Sequence, residues 1–331
     1  MKILYIGGVY ATEYSLYRES QGNPNIDVQY VHGTSYSMPH LLEGTNSVLI
    51  KSRNDIDRIK KDFCPDLVLF RGWCPEQSLI GVGDVLWSQE IMATKLDGSR
   101  YSGGGVVSVY TDNPGRKHYI AYNIKDLAIQ NNQYWLPRCV SKHWAKRSSV
   151  KDIPFMVATI MPVLHAGGDL KRKSLDILVK PIIEWDKSVV HAFSGYSGSF
   201  ESIPYMKGTF KPSFPYINMT DYISRAKIYA SPTTIWYDKG CISQKTIHSM
   251  ACGVLTLTNR YMDIEDILGK DGENLIYSNS PEETLDKVKF YLSHDKERED
   301  IAERGYHFIH NLYNWEKHLN RLFKEVSSEK A

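Results

Sequence analysis

Three polar residues, Ser243-Gln244-Lys245, open a stretch that continues Thr246-Ile247-His248-Ser249-Met250-Ala251-Cys252-Gly253 and runs straight into Val254-Leu255-Thr256-Leu257-Thr258. Helix-tolerant residues, a glycine where a helix end wants positive φ, and then an alternating β-branched run predict helix, tight turn and strand. The polar residues stand at the helix start, where backbone N–H groups lack intrahelical acceptors and the helix dipole is positive. A hydroxyl, an amide and an ammonium added to those N–H groups suit a phosphate or diphosphate. An ordinary amphipathic helix feeding a buried strand is the alternative reading.

A second centre lies in the first half. Val106-Val107-Ser108-Val109-Tyr110 predicts a strand and Thr111-Asp112-Asn113-Pro114-Gly115 the turn beyond it. A carboxylate there is placed to take a proton from a hydroxyl, or only to cap the turn through its own side chain. His118 follows as a second candidate for the same work. Gly7-Gly8, after the apolar Lys2–Ile6 run, suits close approach of a ligand to the backbone or a plain tight turn.

The elements that must position these residues read as alternating strands and helices. Lys2–Ile6, Val28–Val31, Asp66–Phe70, Val106–Tyr110 and Leu136–Val140 are predicted strands of a first domain, with a capped helix starting near Asn54-Asp55. The polar, basic run Ser141–Ser149 reads as a linker. Phe155–Ile160, Val189–Gly195, Ile228–Thr234, Leu255–Thr258 and Asn274–Ser278 are the strands of a second domain. Ser280-Pro281-Glu282-Glu283 is a helix start with an N-cap serine and a proline at N1. Two further helices follow, the last from Trp315 through Leu319 and Leu322 to Phe323. The expected class is α/β, with Rossmann-like domains at 1–147 and 148–312 and a final helix within 313–331.

Composition bounds the rest. The 331 residues are 42% apolar and 24% charged, enough for full cores, and the net charge of +2 carries no overall nucleic-acid footprint. Five cysteines without a CxxC spacing disfavour a disulfide framework and a zinc site, and point to a reducing cytoplasm. No segment is long and apolar enough to span a bilayer, and the N-terminal apolar run is too short for a signal sequence.

The 243–258 stretch resembles the nucleotide-sugar half of GT-B glycosyltransferases. It is most similar to the CgeB-type group, whose Ser-Gln-Arg-Thr-Phe-Glu-(Ile/Leu)-x-Ala-Cys-Gly-Gly signature precedes a Leu-Thr strand. Ser243, Gln244, Thr246, Ala251, Cys252 and Gly253 match, Lys245 stands at the family Arg, and His248 at the family Glu. That Glu holds donor ribose hydroxyls, and an imidazole cannot bind a diol through two oxygens. The likeness is strongest from about residue 228 to 323.

The resemblance implies two doubly wound Rossmann-like domains facing a cleft, with the C-terminal helix packing back on the first. It implies a nucleotide-diphosphate sugar, foremost a UDP-sugar, as donor, no cofactor, and transfer to an acceptor hydroxyl without a metal. Donor contacts would come from Ser243, Gln244, Lys245, Thr246 and His248, from Ser194 and Ser231 at strand exits, and from Gly7 and Gly8. Lys171 and Arg172, after the glycine-rich 165–169 segment, would stabilise the diphosphate as the glycosyl bond breaks. Asp112 also fits the strand-Asp-x-Pro pattern of the group. The acceptor is a glycan, a small molecule or DNA; for a hydroxymethylated base in DNA, Lys142–Arg147 would supply backbone contacts. A non-catalytic nucleotide- or sugar-binding relative stays open through the His248 replacement.

Overall fold

The computed structural model describes residues 1–7, 11–32, 47–71, 79–81, 83–88, 119–122, 134–159, 168–194, 203–209, 211, 216–233, 242–261 and 263–328. They form two compact units. One takes the described residues up to Trp144 together with those from Tyr313 onward, the other Ala145–Leu312.

The first unit is a parallel sheet of β1 (Lys2–Ile6), β2 (Asp27–His32), β3 (Ser47–Leu49), β4 (Leu67–Arg71), β5 (Val85–Ser88), β6 (Tyr119–Tyr122) and β7 (Tyr134–Trp135). Its order is β3-β2-β1-β4-β5-β6-β7. The direction of strand succession reverses between β1 and β4, where Ile3 is in register with Leu67 and Ile6 with Phe70. Ligands of open α/β sheets gather at the carboxyl ends of the strands flanking such a reversal. Here those ends are Gly7 and Arg71.

Helix α1 (Ala11–Gly22) follows β1, and α2 (Arg53–Phe63) precedes β4. α2 starts slightly before Asn54, because Ser52 and Asp55 close a capping box: each side chain accepts a hydrogen bond from the other's backbone N–H. Ile56 and Ile59 of α2 pack with Leu4, Ile6, Val31, Phe70 and Leu86.

Two expectations in this unit change. Val85–Ser88 is a strand that the pattern did not announce. Leu136–Val140 is not one: the chain leaves the sheet after Trp135, and Pro137 has no N–H to give a ladder. Its polar groups are used elsewhere. The indole of Trp87 donates to the Leu136 carbonyl at 2.8 Å, and Val140 donates to the Tyr313 carbonyl at 3.1 Å. The basic run is likewise no solvated linker at its start, since Ser141 and Trp144 are buried. The Ser141 hydroxyl donates to Glu19 at 2.7 Å and its N–H to Ser15 at 2.8 Å. The predicted strand Val106–Tyr110 lies outside the described residues.

The second unit is a parallel sheet of β8 (Ile153–Thr159), β9 (Val190–Ser194), β10 (Ala226–Ser231), β11 (Leu255–Thr258) and β12 (Ile276–Tyr277), in the order β12-β11-β10-β8-β9. The reversal falls between β8 and β10. Its helices are α3 (Gly168–Leu178), α4 (Lys180–Asp186), α5 (Met219–Ile223), α6 (Gln244–Ala251), α7 (Ile264–Leu268), α8 (Pro281–Ser293) and α9 (Asp295–Leu312). Phe155, Val157, Ala192, Ile228, Ala230, Leu255 and Leu257 from the strands meet Leu178, Ile182, Val288 and Ile301 from the helices in one core. The expected N-cap of α8 is present, with Ser280 accepting from the Glu283 N–H.

The last helix, α10 (Trp315–Ser328), belongs to the first unit. Trp315, Leu319, Leu322 and Val326 are buried along one face at helical spacing. The Trp315 indole donates to Ser15 at 3.2 Å and meets Trp87 edge-on at 5.8 Å. Glu316 accepts from Asn23 and Asn25, and Arg321 donates to the Trp135 carbonyl.

Gly305 sets how closely α9 lies on the turn before β12. A Cβ there would stand 2.3 Å from the Asn274 carbonyl oxygen. Gly305→Ala is therefore expected to cost about 1–3 kcal/mol through overpacking, read as a lower urea midpoint. The exposed Asp300→Ala on the same helix serves as control, within roughly 0.5 kcal/mol of wild type. Equal midpoints for the two variants would contradict the packing argument.

Candidate functional site

Helix α6 is enclosed from Thr246 to Ala251, and its N-cap Ser243 is buried as well, so that only Gln244 and Lys245 are partly exposed. Ser243 takes the extended N-cap conformation (φ −64°, ψ 132°), but its hydroxyl makes no capping bond to the first turn. Gln244 and Lys245 are half-buried there. The helix start is thus a polar, positively poled end set into an apolar body.

Hydroxyls position that turn. The Ser231 Oγ, at the carboxyl end of β10, bonds the Thr246 Oγ1 at 2.9 Å, and both side chains are buried. Thr258 donates to the Ser231 carbonyl at 3.0 Å, tying β10 to β11 at the same level. Ser249 donates to the Lys245 carbonyl at 2.9 Å and receives a bond from Thr256 at 2.8 Å. The Lys245 ammonium donates to the Pro232 carbonyl at 3.1 Å, so it is held at the exit of β10 beside the sheet reversal. One residue further, the Thr233 hydroxyl is buried without a hydrogen-bond partner among the described residues. The sequence placed Thr233 inside the predicted strand Ile228–Thr234; an unsatisfied buried hydroxyl costs about 1–3 kcal/mol, which marks such positions in a structure and not in a sequence.

The other named residues fall as follows. His248 lies in the second turn of α6 and is 1% exposed, among the enclosed residues. Arg172 is exposed near the N-terminal end of α3, with Lys171 preceding it in the same helix. Ser194 ends β9, paired with Thr159 at the end of β8. Gly7 belongs to the first unit, where it leaves β1 at φ 136° and donates to the Val31 carbonyl at 2.9 Å. Gly8, Asp112 and His118 lie outside the described residues. Among the described residues no group of three or more His, Cys, Asp or Glu is arranged to hold a metal ion. No helix among them is long and apolar enough to cross a membrane.

The opposite end of α6 is closed by the expected glycine, Gly253, at φ 63°. Lys151 donates to the Gly253 carbonyl at 3.0 Å and to the Ser224 carbonyl at 2.7 Å, just past α5. A cation at two helix C-termini is favoured by their dipoles, yet burial, opposed by the nearby Cys252 thiol and reinforced by Arg147, brings the ammonium down from 10.5 to about 8. The folded protein therefore holds less proton at Lys151 than the unfolded chain does between those values. Stability from this group rises with pH across that window and is lost as pH falls through about 8. Relative to Lys151→Met, the wild-type urea midpoint is expected to climb between pH 8 and pH 10. A pH-independent difference between the two proteins would refute this.

Residues 172–324 match the family model described as glycosyl transferase-like. No curated protein sequence matches the chain. Among solved structures it is similar to a sucrose-phosphate synthase from Thermosynechococcus elongatus, with a TM-score of 0.65 at 9% identity over 99% of this chain and 100% of that one. It is similar to Anabaena HepE in complex with UDP and glucose, with a TM-score of 0.66 at 10% identity over 99% and 100%. A T4 phage BGT mutant in complex with UDP-glucose gives 0.62 at 13% identity over 98% and 99%. These likenesses show a shared fold, two Rossmann-like domains with parallel sheets as in GT-B structures. A glycosyl transferase-like match over residues 172–324 thus lies within a chain whose fold is that of GT-B structures.

Proposed function

We propose that the protein moves a sugar from a UDP-sugar to an acceptor hydroxyl, with the donor diphosphate seated on the first turn of α6. The observation that carries this reading is the half-buried start of an otherwise enclosed helix, to which the Ser243 hydroxyl gives no capping bond, with Lys245 held beside it at the exit of β10. The sheet reversal between β8 and β10 lies at the same edge, where ligands of such sheets bind. UDP and UDP-glucose occupy two of the similar structures, which supports uracil as the donor base.

In this reading the Gln244–Thr246 N–H groups, the Ser243 hydroxyl and the Lys245 ammonium take up charge on the departing diphosphate, joined by Lys171 and Arg172. These donors do the work of a metal ion, so transfer is metal-independent. The acceptor oxygen bonds to the anomeric carbon as the bond to the diphosphate breaks, and Asp112, with His118 nearby, takes the acceptor proton. Ser231 acts from beneath, by holding Thr246, and Ser194, Gly7 and Gly8 complete the donor contacts. The Ser243–Gly253 signature favours the CgeB-type group, with His248 in place of its ribose-binding Glu. Free thiols at Cys64, Cys139 and Cys252 suit a cytoplasmic setting. DNA as acceptor gains little from the basic run, because Trp144 is buried and Arg147 pairs with Glu303.

The test is a thermal-shift panel of UDP, GDP, ADP, TDP and CMP against wild type and Lys245→Ala. A nucleotide at a hundredfold its dissociation constant stabilises the fold by about 2.7 kcal/mol. UDP is expected to give the largest rise. Loss of the charge-assisted contacts should weaken it roughly tenfold or more in Lys245→Ala. Absence of any nucleotide response would remove the donor-site assignment and leave the non-catalytic reading.

A further inference from the structure

Strand β11 is buried along its whole length between β10 and β12, and successive side chains of a strand point to opposite faces of the sheet. On one face Thr256 donates to Ser249 of α6 at 2.8 Å. On the other, Leu255 and Leu257 join the core that holds Leu175 and Leu178 of α3. Asn259 follows the last residue of the strand and keeps the parity of Leu255 and Leu257. Its side-chain oxygen accepts from the Ser174 hydroxyl of α3, and its amide donates to the Ser278 carbonyl, just past β12, at 3.3 Å. Asn259 and Ser174 are both fully buried.

Burial of Leu175 and Leu178 holds α3 against the sheet, but apolar attraction is non-directional and does not set how far the helix slides along its axis. The hydroxyl–amide bond does. A slip would leave two buried polar groups unsatisfied, with no water to replace either partner. Ser174 comes two residues after Arg172 and three after Lys171, so the bond is made within one turn of both cations. Asn259 stands past the carboxyl end of β11, which puts the second turn of α3 at the same edge of the sheet where Ser231 holds the start of α6. One strand thus fixes both helices, α6 through Thr256 and α3 through Asn259.

We propose that Asn259 and Ser174 are a positioning pair for the transfer: they fix the axial register of α3 and so aim Lys171 and Arg172 at the donor diphosphate. This role rests on the donor reading above.

The experiment measures dissociation constants of UDP and of uridine by titration calorimetry for wild type, Ser174→Ala, the charge-free Lys171→Ala/Arg172→Ala protein, and the combination of all three substitutions. Uridine lacks the diphosphate and reports the rest of the site. Ser174→Ala is expected to weaken UDP roughly fivefold and to leave uridine unchanged. In the charge-free background the same substitution should change UDP affinity by less than about twofold, because the groups it aims are gone. If Ser174→Ala does not fold, Ser174→Cys, close in size and a weaker donor, carries the same comparison. The positioning role is overturned, with the donor reading intact, by wild-type UDP affinity in the Ser174 variant, by equal losses for UDP and uridine, or by a loss that persists undiminished without the two cations. UDP affinity unaltered in the charge-free protein would overturn it as well. A wild type that binds no UDP would overturn the donor reading and the positioning role with it.

Discussion

The hydroxyl pair Ser231–Thr246 decides where α6 begins relative to the end of β10. Both side chains are buried, so the bond between them cannot be traded for water without leaving polar groups unsatisfied. The carbonyl of Ser231 is engaged by Thr258 as well, which places the ends of β10 and β11 and the start of α6 in one rigid set. The first turn and the Lys245 ammonium inherit their position from that set. A phosphate site made of N–H groups and one cation has value only if its donors are already aimed, because reorganisation at the moment of bond breaking would consume the stabilisation they supply.

Both ends of the helix are governed by charge. Its N-terminal pole carries the partly exposed Gln244 and Lys245, and its C-terminal pole is closed by Gly253 and by the partly buried Lys151, whose pKa burial lowers to about 8. The first unit arranges its charges differently. Tyr5 donates to the enclosed Glu13 at 3.1 Å, and Arg71, at the end of β4, stands 3.6 Å from that carboxylate. In each unit the charged group lies where strand succession reverses, which is where an open α/β sheet leaves room for a ligand.

The second unit was largely legible in the sequence because its signals are local. Gly253 at a helix end, Ser280-Pro281 at a helix start and the Leu255–Thr258 run each carry their structure within a few residues. What was not legible depends on partners far apart in the chain. Leu136–Val140 has the composition of a strand, but its backbone is taken by Tyr313 and Trp87, which no window around residue 138 contains. Val85–Ser88 is too short to stand out as a period. The mutual bond of the Ser231 and Thr246 hydroxyls, two residues the sequence offered singly as donor contacts, shows only in the fold, and the Glu13–Arg71 pair joins a helix to a strand end that sequence spacing does not connect.

The central claim is that the first turn of α6 receives the donor diphosphate. Its most direct test is an amide-resolved NMR titration of the full chain with UDP, compared with uridine, which lacks phosphates. If the account is right, UDP shifts the Gln244, Lys245 and Thr246 amide signals strongly and uridine does not. Binding of UDP that leaves those three amides unmoved would place the diphosphate elsewhere and contradict it.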